Sequence, residues 1–129
     1  MVLSELIDVI EKQQELTNYR FDKEKLINTL SYCVNIAKLM IEQTLNKSYY
    51  PLINDEDLEK ITNLNVKEVC LNLLYPYFTD PSFIKAEQRK CQKEVEEIEV
   101  EHCLLYLRDD SNIYQNVLAY LNYTFLNII

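Results

Sequence analysis

The chain contains no glycine in 129 residues, where average usage would place about 7%. Glycine reaches left-handed backbone without steric cost, so type I′ hairpins and tight meanders lose their usual turn residue. Whole function classes go with it. A Gly-rich dinucleotide fingerprint, a Walker-type phosphate loop, the standard calcium-loop glycine and a Gly-x-Ser-x-Gly nucleophile elbow all need that residue. What is left is a helical chain whose helix ends use asparagine, the next-best left-handed residue, or run into proline. Asn18, Asn46 and Asn63 stand where helices are expected to end.

Hydrophobic spacing agrees. Leu3, Leu6, Ile7 and Ile10 follow a helical template, which predicts a first helix capped by Ser4 and fading near Thr17-Asn18. A longer helix is expected from Asp22 to Lys47, with Leu26, Leu30, Cys33, Ala37, Met40 and Leu45 on one stripe widened by Ile27, Val34 and Ile41. A short helix fits Asp55 to Thr62, with acids in its first turn. Asn65-Val66-Lys67-Glu68 resembles a capping box and predicts a fresh helix that Pro76 stops. Asp80-Pro81 is the clearest helix start, because proline at the first helical position forfeits no hydrogen bond, and that helix can run to Leu107. No charged side chain follows Asp110, and the interspersed Asn112, Gln115, Asn116, Asn122 and Asn127 argue for a buried helix over a membrane span. The expected architecture is therefore all-α: residues 1–129 as one domain, an antiparallel bundle of about five or six helices with a largely buried C-terminal helix.

Net charge is −8, which disfavours nucleic acid and anionic membrane as partners and leaves a basic protein as the complementary one. Cys33, Cys70, Cys91 and Cys103 form no C-x-x-C pair and fall on apolar stripes, where free cysteine behaves as a small hydrophobe. The N-terminal MVLSELIDVIEKQQEL has no secretory-leader pattern, so reduced thiols and a cytoplasmic location are expected.

Few residues offer chemistry. Glu99-Val100-Glu101-His102 holds a Glu-x-x-His pair, the spacing of carboxylate-bridged di-metal bundles, but His102 is the one histidine of the chain. A metal–carboxylate enzyme would have to be assembled across a dimer. Cys91 and Cys103 are about 18 Å apart along a helix, too far to share a zinc ion. His102 and Cys103 point about 100° apart and cannot act as base and nucleophile. No catalytic residue, cofactor or metal site is assigned, and the chain reads as a non-enzyme.

Two features point to binding instead. The stretch from Lys85 to Glu101 turns from mixed charge to acidic, with Lys90–Glu94 and Lys93–Glu97 at ion-pair spacing. Glu94, Glu97 and Glu101 make an acidic docking surface for a basic partner. The second is ten tyrosines without a tryptophan, with Tyr49, Tyr50 and Tyr77 in expected loops, where tyrosine favours interfaces. The expected function is a non-catalytic, acidic, helical protein that binds another protein as an inhibitor, immunity protein or adaptor; its Asn, Ile and Tyr richness suits an AT-rich viral or bacterial genome. The alternatives are the metal–carboxylate enzyme assembled across a dimer and a homo-oligomeric structural subunit. Its dimer would use the 4-3-4-3 seam of Cys91, Val95, Ile98, His102 and Leu105.

Overall fold

The computed structural model describes residues 2–12, 23–49, 54–75, 81–98 and 112–128. They form five helices and no strand: α1 (Val2–Lys12), α2 (Lys23–Tyr49), α3 (Asp55–Leu74), α4 (Pro81–Glu97) and α5 (Asn112–Ile128). One cluster of buried apolar side chains draws on all five.

α1 starts earlier than expected. Val2 is buried together with Leu6, Val9 and Ile10, so Ser4 is a helical residue and not the cap. Burying an apolar side chain at the chain's start outweighs what a serine cap contributes, about 1 kcal/mol. The expected fading of this helix at Thr17-Asn18 and the Asp22 cap lie outside the described residues. α2 runs through Asn46 to Tyr49, two residues past the expected Lys47. Its core stripe is Leu26, Leu30, Cys33, Ala37 and Ile41, with Met40 half-buried beside it. Two threonines are tolerated in it because each hydroxyl has a local acceptor: Thr29 Oγ1 donates to the Lys25 carbonyl at 2.8 Å and Thr44 Oγ1 to that of Met40 at 3.0 Å.

The largest correction concerns residues 55–74. The two helices expected there are one, and Asn63-Leu64-Asn65 makes no break. Asn65 is buried, and its Nδ2 donates to the Ile61 carbonyl at 3.0 Å, so its amide is used along the helix rather than as a cap. The real cap is Asn54. Asp57 N–H donates to Asn54 Oδ1 at 2.8 Å, and Asn54 Nδ2 donates back to Asp57 Oδ2 at 2.9 Å. This is the reciprocal logic of a capping box with Asn and Asp in place of the usual pair. At the other end Pro76 has no N–H to offer the Asn72 carbonyl. Tyr75 N–H takes that carbonyl, in right-handed helical backbone at φ −49 and ψ −46. The helix thus ends where expected but by a tightened last turn, not by Tyr75 leaving the helical region.

α3 packs against α1, α2, α4 and α5, and its buried positions run round the helix instead of along one stripe. That is the signature of a central helix. The C-terminal helix was expected in this role. The described side chains of α5 bury Tyr114, Val117 and Leu121 but leave Gln115, Asn116, Ala119, Tyr120, Asn122 and Tyr123 exposed. α4 opens at Pro81 as expected, and Ile98 N–H closes a tight turn on the Val95 carbonyl at 3.1 Å. The expected continuation to Leu107 lies outside the described residues. No described helix is long and apolar enough to cross a membrane.

Candidate functional site

Polar groups in the interior meet where α3, α4 and α5 converge. Gln88 Nε2 on α4 donates to Asn72 Oδ1 on α3 at 2.9 Å, and to the Glu68 backbone carbonyl at 3.4 Å. Asn72 Nδ2 donates to the Tyr114 hydroxyl of α5, which in turn donates to Glu68 Oε1 at 3.2 Å. Glu68 and Tyr114 are both almost fully buried. Beside them Glu87 draws Lys67 of α3 to 3.9 Å and Lys90 of its own helix to 3.2 Å. Such a network fixes register: sliding or rotating any of the three helices would strand donors and acceptors away from water. Its residues are turned on one another, an arrangement suited to specifying the packing.

The thiols are equally interior. Cys33, Cys70 and Cys91 are free and buried. Burial pushes the Cys33 thiol up to about 11 and Cys91 to about 12, the latter opposed in small part by the Lys67 ammonium and helped by Glu68, Glu94 and Glu87. Cys70 is raised further, by burial first and then by the nearby Cys33 and Glu68. A nucleophile or metal ligand needs the thiolate, which these sites disfavour. Among the described residues no three His, Cys, Asp or Glu side chains stand close enough to share a metal ion.

The residues singled out for binding are not brought together. Glu94 and Glu97 are exposed on α4. They follow the exposed Lys85, Arg89, Lys90 and Lys93, so the α4 surface changes sign along its length and is not uniformly acidic. Lys90 reaches back to Glu87 rather than forward to Glu94. That is the favourable order, with the acid N-terminal to the base. Tyr49 is the last residue of α2 and not part of a loop, while Tyr50, Tyr77, Glu101, His102 and Cys103 lie outside the described residues. Of the seam proposed for a dimer, Cys91 and Val95 are buried and Ile98 partly buried within this one chain.

A different surface stands out. α2 and α5 pack on each other, and neither carries a charged side chain over Leu26–Ala37 or Asn112–Ile128. From these charge-free stretches Tyr32 (51%), Tyr120 (52%) and Tyr123 (73%) are exposed, and Leu39 (62%) is exposed just beyond the first of them, after Lys38. They are four of the five large apolar side chains exposed among the described residues. Single exposed apolar residues are ordinary, whereas here four of them fall on one adjoining helix pair. The signal was present in the sequence. Asn28, Tyr32, Asn35 and Leu39 repeat at helical spacing opposite the core stripe. Compared with protein-family models, with curated proteins and with solved structures, the chain matches none.

Proposed function

We propose that the protein is a non-catalytic helical module that binds another protein through the α2–α5 side of an antiparallel bundle. The observation that carries this reading is the coincidence of the charge-free stretches 26–37 and 112–128 with exposed Tyr32, Tyr120 and Tyr123, and with exposed Leu39 just beyond, on two helices packed together. Interface cores are depleted of charge and enriched in tyrosine, while a chain of net charge −8 keeps its solubility through the charges elsewhere. Short connections between α2 and α3 and between α3 and α4 favour antiparallel neighbours. An inhibitor, immunity protein or adaptor of the cytoplasm fits such a module, and the acidic balance favours a basic partner. Glu94 and Glu97 stand on α4, which packs chiefly on α3, and serve as secondary, long-range attraction.

Native mass spectrometry of the protein isolated from its source cells at moderate salt tests this. The expected result is a stoichiometric protein adduct that the Tyr32→Glu/Tyr123→Glu variant loses while remaining folded. A wild-type chain that runs bare, or only as a homo-oligomer, overturns the reading.

A further inference from the structure

Three helices place their charges to suit their own dipoles, and one does not. α1 carries Glu5 in its first turn and Lys12 in its last, while α2 opens on Glu24 and α3 on Asp55, Glu56 and Asp57. α4 reverses the order. It has no acid in its first turn and no base in its last, and exposed Lys85, Arg89, Lys90 and Lys93 precede exposed Glu94, Glu96 and Glu97. Its cations thus lie toward the positive end of the helix dipole and its acids toward the negative end, which costs the helix stability. Lys85, Arg89 and Lys93 also stand four apart, the spacing at which like charges repel. The opposite charges do not relieve this within the chain. Among the described residues the ion pairs of α4 are those of Glu87 with Lys67 and Lys90, and none joins Lys90 to Glu94 or Lys93 to Glu97.

The row that points directly away from the core is Ser82, Ala86, Arg89, Lys93 and Glu96, and every one of these residues is exposed. It lies opposite the buried Ile84, Cys91 and Val95. Its spacing of 4, 3, 4 and 3 is the repeat by which two helices pack side by side.

We propose that this row joins a second copy of the chain through antiparallel α4 helices related by a two-fold axis. A charge order that opposes its own dipole is complementary to itself reversed. The basic half of one helix then faces the acidic half of the other, and the two dipoles run in opposite directions. With the axis beside Gln92 and Lys93, Arg89 meets Glu96 of the second copy, and Lys90 on the flank meets Glu97 of the second copy, each contact occurring twice by symmetry. The two Lys93 side chains approach at the axis and form the one like pair of this register. Exposed ion pairs contribute little each, and two copies of net charge −8 repel at a distance, so the dimer is weak and reversible. The row is a different surface from the α2–α5 face, so the dimer does not rest on the function proposed above. Where both hold, a partner binds two to two.

The test is sedimentation equilibrium of the purified full chain, from micromolar to millimolar concentration. A reversible monomer–dimer equilibrium is expected. Arg89→Glu alone and Glu96→Arg alone should each weaken it by about tenfold or more, because each turns two attractive contacts repulsive. An equimolar mixture of these two variants should regain the dimer as a heterodimer. In that mixture the two changed side chains face each other, as do the two unchanged ones, and both contacts join opposite charges. Lys93→Gln should tighten the dimer by removing the like pair. Both Arg89 and Glu96 are exposed, so helix content by circular dichroism should hold in every variant. Tyr32→Glu/Tyr123→Glu should leave the dimer intact. A wild-type chain that stays monomeric at millimolar concentration overturns the proposal, and so does a variant mixture that stays monomeric. A Lys93→Gln variant that associates more weakly overturns the pairing. Loss of the dimer in the tyrosine variant would move the contact to the α2–α5 face and overturn it as well. None of these outcomes depends on a partner adduct in mass spectrometry.

Discussion

α3 and α5 reverse the roles their side chains suggest. α3 carries Asp55, Glu56, Asp57, Glu59, Lys60, Lys67 and Glu68, yet it packs on every other helix and buries Thr62, Asn65 and Glu68. α5 carries no charge at all, yet Tyr120 and Tyr123 stand in solvent. The difference teaches that position in a bundle is set by how many sides of a helix find apolar neighbours, not by how few charges it carries. α3 gathers its first charges in the exposed turn after its cap and then turns Leu58, Ile61, Val66, Val69, Leu71, Leu73 and Leu74 to all sides. Among its described side chains α5 buries Tyr114, Val117 and Leu121, with Leu118 partly buried beside them, and leaves Gln115, Asn116, Ala119, Tyr120, Asn122 and Tyr123 in solvent.

The comparison breaks most sharply under truncation of the central helix. Leu71 is fully buried, so Leu71→Ala should lower unfolding free energy by about 2–5 kcal/mol, measured by urea denaturation monitored by circular dichroism. A loss below 1 kcal/mol would mean that α3 is not the helix round which the others pack.

The join between the two helices comes next. Tyr114→Phe removes the donor to Glu68 and the acceptor for Asn72 at once, with no change in ring packing. Taking one hydrogen bond each from the buried Glu68 and the half-buried Asn72 should cost about 1–3 kcal/mol. In a double-mutant cycle with Asn72→Leu, the two losses should add to less than their sum, because both act on one network.

The interior of α2 and α3 can also be read by pH. Folded Cys33 ionises near 11 against 9.0 for an unfolded thiol. Above pH 9 the unfolded chain releases a proton that the folded chain keeps. The native state therefore binds more protons, and stability falls as pH rises from 9 to 11, with a limiting slope of about 1.4 kcal/mol per pH unit for one such thiol. Cys33→Ala should flatten that decline relative to wild type in guanidinium unfolding at pH 8, 9 and 10. An unchanged slope would place the thiol in water.

Much of this was readable beforehand, and what was not has a common cause. The core stripe of α2, the start at Pro81 and the apolar setting of Cys33, Cys70 and Cys91 follow from spacing, which tells which face of a helix is apolar. The break expected at Asn63-Leu64-Asn65 fails because an asparagine amide can cap a helix or bond back along it, and only burial of Asn65 decides between them. The central place of α3 was hidden for a related reason. Periodicity compares faces within one helix, and a helix buried all round shows weak periodicity, while a neutral helix mimics it. The Glu68–Tyr114–Asn72–Gln88 network joins residues up to 46 apart in sequence, which no local pattern can announce.

The smallest stability effect is the one that separates neutrality from burial. If α5 were held by its outer face, shortening Tyr123 would destabilise the fold as shortening a core residue does. With 73% of Tyr123 in solvent, Tyr123→Ala should change unfolding free energy by no more than about 0.5 kcal/mol. The same substitution should weaken partner binding by about tenfold or more, because an interface tyrosine that covers a desolvated contact contributes on that scale. The two readouts constrain each other. A side chain dispensable for folding yet needed for binding belongs to a surface kept apolar for a partner; one dispensable for both would leave the tyrosines of α5 as ordinary exposed residues, and the charge-free face without the role assigned to it.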